Sequence, residues 1–94
     1  MIYSLKFLPV AFKEWKKLGE TLKEQFKKKL EERLKNPRVP VSQLNGLKDH
    51  YKIKLRTSGY RLVYKVCDKE ICVIVVAVGK RDKGSVYALV AKRK

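Results

Sequence analysis

The 94-residue chain carries 24 Lys plus Arg against 9 Asp plus Glu, a formal charge of +15. That length suits one domain, 1–94, around a single modest core, and the charge exceeds what solubility needs, so a polyanion is the expected partner. No apolar run approaches the roughly 18 residues of a spanning helix, and no charged N-terminal segment leads to a small-residue cleavage site; a soluble cytoplasmic protein is expected.

Ile2 to Phe7 reads as a first strand, with Tyr3, Leu5 and Phe7 on one side. After Pro9, the apolar residues Ala11, Trp15 and Leu18 recur at helical spacing over Val10–Leu18, and Gly19 stands where a helix commonly ends. Glu20 to Lys35 has the cleanest period in the chain, since Leu22, Phe26, Leu30 and Leu34 are each four apart and form one apolar stripe. Asn36-Pro37 and Pro40 stop that helix, and Val39, Val41 and Leu44 are expected to cross the core from an extended connector.

From Lys48 to Arg56 the alternation is unbroken. Tyr51, Ile53 and Leu55 face inward, so Lys52, Lys54 and Arg56 project in a row from the other face. Such a row also suits a solvated or edge-protecting face. Thr57-Ser58-Gly59 turns the chain into Tyr60–Cys67, where Tyr60, Leu62, Tyr64 and Val66 share one face and Arg61, Val63 and Lys65 the other. After the Asp68-Lys69-Glu70 turn, the β-branched run Ile71–Val78 suits a strand covered on both sides. Gly79-Lys80-Arg81 closes it. Asp82 to Ser85 connects to a helical tail, Val86 to Lys94, in which Val86, Leu89 and Val90 share a side and Tyr87 points away.

Cys67 and Cys72 sit in apolar surroundings and are expected to act as small, reduced hydrophobes. His50 is the sole histidine and is expected at the surface or a strand edge, so histidine-based metal clusters are excluded. No Gly-rich phosphate loop is present, and neither metal nor cofactor is expected.

The order strand, helix, helix, three-strand meander resembles the RelE family of toxin ribonucleases, which have an α+β microbial ribonuclease fold. The likeness lies in Lys13-Glu14-Trp15-Lys16-Lys17-Leu18, Leu44-Asn45-Gly46, Tyr51-Lys52-Ile53-Lys54-Leu55-Arg56, Ser58-Gly59-Tyr60-Arg61-Leu62-Val63-Tyr64 and Val78-Gly79-Lys80-Arg81, and covers essentially the whole chain. Asn45 departs from it, as similar members often carry a basic residue there. The resemblance implies a ribosome-dependent endoribonuclease that cuts mRNA in the A site. It places Lys52, Lys54, Arg61, Arg81 and Tyr87 in the cutting set and implies a RelB-like antitoxin partner. Lysine can replace histidine as base where crowded cations disfavour its charged form, as Lys52 and Arg56 do beside Lys54.

Lys52 and Arg61 would clamp the phosphate, and the resemblance casts Arg81 as general acid or stabiliser of the leaving oxygen. Tyr87 offers a stacking face for a base. Lys27, Lys28, Lys29, Arg56 and Lys80 are candidate contacts to mRNA or 16S rRNA. Two rivals remain: a nonenzymatic RNA- or ribosome-binding module, and a gyrase-inhibiting toxin of the same fold.

Overall fold

A computed structural model describes residues 2–80, together with Val90 and Lys92. Its elements are β1 (Ser4–Phe7), α1 (Pro9–Lys16), α2 (Glu20–Lys35), a 3-10 turn (Pro40–Ser42), β2 (His50–Leu55), β3 (Tyr60–Cys67) and β4 (Cys72–Lys80). The strands form one sheet in the order β1-β4-β3-β2, with β1 parallel to β4 and the other pairs antiparallel. The expected α+β class is observed, and β2 lies at a sheet edge.

Proline at the first helical position starts α1, where its missing N–H costs nothing. Gly19 plays a different part from the one its sequence position suggests. It precedes α2 as an extended N-cap residue, φ −69° and ψ 160°, instead of closing α1 in a left-handed turn. The four-residue period of α2 then lays Phe26 and Leu30 fully into the core, while Leu22 and Leu34 pack at its margins.

Both helices cover one face of the sheet. Ala11, Trp15, Leu18, Phe26 and Leu30 meet Tyr51, Ile53, Leu55, Leu62, Tyr64, Val66, Val73, Val75 and Val78. Truncating a buried ring such as Phe26 to Ala would cost about 3–5 kcal/mol in lost transfer energy and cavity formation. A second, smaller cluster on the other face joins Val63, Val76, Ala77 and Val90, so β4 is covered on both sides as its composition predicts.

A β-bulge adjusts the two faces. Val63 pairs with Ala77 but Tyr64 pairs with Val75, which leaves Val76 as an extra residue in β4. Val76 and Ala77 therefore both serve the second cluster, and the strand's alternation shifts by one so that Val78 returns to the helix side. Glu14 of α1 holds the shifted segment, its Oε1 accepting the Val78 N–H at 3.1 Å.

Three sequence expectations are corrected. Val41 is 87% exposed rather than lying across the core, because the 3-10 turn carries it outward. His50 does lie on the edge strand, yet it is only 3% exposed. The preceding loop folds back over it, with the Leu44 N–H donating to the His50 carbonyl and the His50 N–H to Leu47. Its Nδ1 lies 2.7 Å from the Lys48 carbonyl, and Nε2 has no partner among the described residues. The first helix also ends earlier than expected, at Lys16. Of the tail, Val90 is helical and buried as expected; 81–89, 91, 93 and 94 lie outside the described residues.

Candidate nucleic-acid interface

Strand register gathers three of the predicted site residues. Lys54 pairs with Arg61, which pairs with Gly79; one step along, Lys52 pairs with Val63, which pairs with Ala77. Directly paired residues project from the same face of a sheet. Lys52, Lys54 and Arg61 therefore share the face away from the helices, and the bulge brings Gly79, with no side chain to obstruct it, beside Arg61. The turn between β2 and β3 is made by Gly59 at φ +77°, a left-handed conformation that glycine adopts without a Cβ clash.

Crowding changes the acid–base character of the site. The Lys54 ammonium is pushed below its ordinary lysine range, first by repulsion from Lys52, then by Arg61, with desolvation, a hydrogen bond with Lys52 and the Arg56 charge adding to it. A lysine amine that releases its proton more readily is a better base near neutral pH.

The cations continue around the sheet edge. A cleft of about 310 Å³ is lined by Lys54, Leu55, Arg56, Gly59, Tyr60 and Arg61. Beside it, a groove of about 460 Å³ between α2 and the edge of β2 is lined by Lys29, Arg33, Val41, Ser42, Lys52, Lys54 and Arg56. Lys28 joins Lys29 along the adjoining wall with Lys54 and Arg56. Lys27 does not: it borders an apolar cleft with Leu5, Phe7, Trp15, Leu30 and Leu34. Lys80 is exposed at the end of β4, paired with Tyr60. Arg81 and Tyr87 fall outside the described residues.

Arg33 supports this surface, although nothing in its local sequence marks it. It sits one position from the apolar stripe of α2, where an arginine reads as ordinary helix charge. Its guanidinium donates to the Lys52 carbonyl at 3.3 Å, to the Tyr64 hydroxyl at 2.9 Å and to Ser42 Oγ at 3.2 Å. The fork thus ties helix, edge strand and 3-10 turn together. Tyr64 in turn donates to the Pro37 carbonyl at 2.7 Å. Burial raises the proton affinity of that phenol, and the Arg33 charge partly offsets the effect.

No described helix is long and apolar enough to cross a membrane. Comparison with known proteins matches residues 5–84 to the family model described as the ParE toxin of type II toxin-antitoxin system, parDE. The mRNA interferase toxin RelE of Escherichia coli is 54% identical over 93 residues, covering 99% of this chain and 98% of the relative. A mutant of E. coli toxin RelE in the free state superposes with TM-score 0.92 at 53% identity, covering 99% and 98% of the two chains. The RelE toxin of the intact E. coli RelBE toxin–antitoxin complex gives TM-score 0.83 at 55% identity, over 85% of this chain and 98% of that one. The chain belongs to the RelE toxins, within the ParE-toxin family of type II toxin–antitoxin proteins.

Proposed function

We propose that this chain is the toxin of a toxin–antitoxin pair and cleaves mRNA in the ribosomal A site, in the cytoplasm. The observation that carries the reading is the shared face of Lys52, Lys54 and Arg61 with a lowered Lys54 ammonium, in a chain 54% identical to an mRNA interferase. RNA supplies its own nucleophile. Neutral Lys54 takes the proton of a positioned 2′-hydroxyl, whose oxygen attacks the adjacent phosphorus. Lys52 and Arg61 stabilise the negative charge that builds on the phosphate.

As the P–O5′ bond breaks, Arg81 protonates or stabilises the departing oxygen, and Tyr87 stacks on a base to hold the strand in line. The products are a 2′,3′-cyclic phosphate and a 5′-hydroxyl, with no metal ion in the step. Lys28, Lys29 and Arg56 grip the phosphate backbone of mRNA or rRNA. A RelB-like antitoxin is the expected partner, in keeping with relatives solved in complex with RelB.

The test is a purified translation system with mRNA mapped by primer extension. Cuts within the A-site codon that require programmed ribosomes, and are lost in Lys54→Ala and Arg81→Ala while ribosome binding survives, are the expected result. Tight, salt-sensitive ribosome binding without cutting would replace the nuclease with a binding module. The family description that names ParE makes a gyrase supercoiling assay a necessary arm; inhibition there without mRNA cleavage would move the chain to the gyrase-directed class.

A further inference from the structure

At the far end of the β3–β4 hairpin, a second group of side chains has no part in the chemistry above. Cys67 and Cys72 are direct cross-strand partners flanking the turn, so their side chains leave the same face of the sheet. Glu70, within the turn, reaches between them. Cys67 Sγ lies 3.8 Å and Cys72 Sγ 3.6 Å from the same Glu70 Oε2, and the three atoms all fall within 4.8 Å of one another. Among the described residues this is the one cluster of three metal-ligating side chains so arranged.

We propose that Cys67, Glu70 and Cys72 bind a thiophilic divalent cation of the zinc class. The spacing is that of a tetrahedral site. Zinc–sulfur bonds of about 2.3 Å and zinc–oxygen bonds of about 2.0–2.2 Å at tetrahedral angles place sulfur and oxygen ligands about 3.5–3.7 Å apart and two sulfurs about 3.8 Å apart. The two S–O separations already lie within a few tenths of an ångström of that edge. Two sulfurs with one carboxylate oxygen make a borderline-soft donor set, which favours zinc and disfavours magnesium or calcium, ions that take oxygen ligands alone.

The hairpin also supplies a path for the ion. Cys72 is buried, Cys67 half-buried and Glu70 exposed, so the ion enters from the Glu70 side and keeps water in its fourth position. The ligands span six residues of one tight turn, so little chain entropy is lost on binding. Two thiol protons leave to solvent as the ion binds, and the resulting two thiolates, one carboxylate and one dication leave a local charge of −1 on a chain of +15. Affinity therefore rises with pH until both thiols are ionised.

Six residues along β3 separate Cys67 from Arg61, roughly 20 Å of strand. The ion staples the hairpin on the same side of the sheet as the cationic row but at the opposite end of the strand.

The test uses the full chain, reduced with a phosphine, stripped of metal and titrated with Co(II), then with Zn(II) as competitor. One Co(II) per chain with a sulfur-to-cobalt charge-transfer band, displaced by one equivalent of Zn(II), is expected. Cys67→Ser should lose the band. Glu70→Gln, at an exposed position that leaves the core intact, should bind on the order of tenfold more weakly or worse. Zn(II) should raise the Tm of the native chain and leave that of Cys67→Ser unchanged, with the two proteins melting alike in chelator. No sulfur-to-cobalt band, or a band that survives Cys67→Ser, would overturn the assignment, as would Glu70→Gln binding with native affinity.

Discussion

The Arg33 guanidinium donates to the main-chain carbonyl of Lys52, so a side chain of α2 fixes the edge strand that carries the cationic row. The same group reaches Tyr64 and Ser42. Hydrogen bonds to a charged donor contribute about 1.5–3 kcal/mol each when well shielded, and less at this half-buried position. Arg33→Leu should therefore lower stability by about 1–2 kcal/mol and slow single-turnover mRNA cleavage while leaving ribosome affinity near native. Arg33→Lys should recover little of the rate, because an ammonium cannot reproduce the planar fork. An unchanged melt and rate in Arg33→Leu would remove its positioning role.

Lys54 sets a pH dependence with a definite sign. Its neighbours disfavour the ammonium, so the acid limb of the cleavage profile should lie below the ordinary lysine range. Arg56 is one of those neighbours and stands outside the cutting set. Arg56→Gln removes a repelling charge, raises the Lys54 proton affinity and leaves less free amine at a given pH. The acid limb should move to higher pH, with the plateau rate at alkaline pH retained. A limb that stays in place would mean that the Arg56 charge does not reach the titrating group.

Lys28 and Lys29 line the groove shared with Lys54 and Arg56. Each phosphate contact contributes about 0.7–0.9 to the slope of log affinity against log salt. The double variant Lys28→Gln/Lys29→Gln should flatten that slope for ribosome binding by about 1.5, without altering the saturated cleavage rate. Lys27→Gln should leave the slope unchanged, since Lys27 borders the apolar cleft instead. Equal effects of the two substitutions would reduce the groove to a nonspecific part of the overall charge.

Gly19 offers a stabilising change. Its φ is negative, an added Cβ meets nothing within 4 Å, and no side chain caps α2. Gly19→Ser supplies a hydroxyl to the first free N–H groups of the helix and restricts the unfolded chain. Together these should add about 0.5–1 kcal/mol, read as a rise of several degrees in Tm. A lower Tm would mean that the serine does not reach the helix terminus.

Local periodicity made much of this molecule legible. The α2 stripe, the β2–β3 hairpin and the inward Tyr51 and Tyr64 follow from residues four or two apart, and the outward row of Lys52 and Lys54 follows with them. Long-range placement did not. Alternation assigns His50 to the cationic face, but only the return of the preceding loop buries it. Val41 looks like core until the 3-10 turn aims it at solvent. Arg33 is indistinguishable from other helix charges, because its partners come from three separate stretches of chain. Within the uniform run of β4, nothing marks where the alternation changes step.

That change of step makes β4 behave like a vernier. A single surplus residue, Val76, lets one strand feed the helix-side core with Val73, Val75 and Val78 while presenting bare backbone at Gly79 to Arg61. Register is therefore constrained at this point more tightly than residue type. Exchanging Val76 for isoleucine disturbs only local fit, and deleting it would close the bulge with Val78 still on the helix side and Gly79 still beside Arg61; pairing Val76 itself with Val63 would instead push Val78 into the cationic face and turn Gly79 beneath the helices.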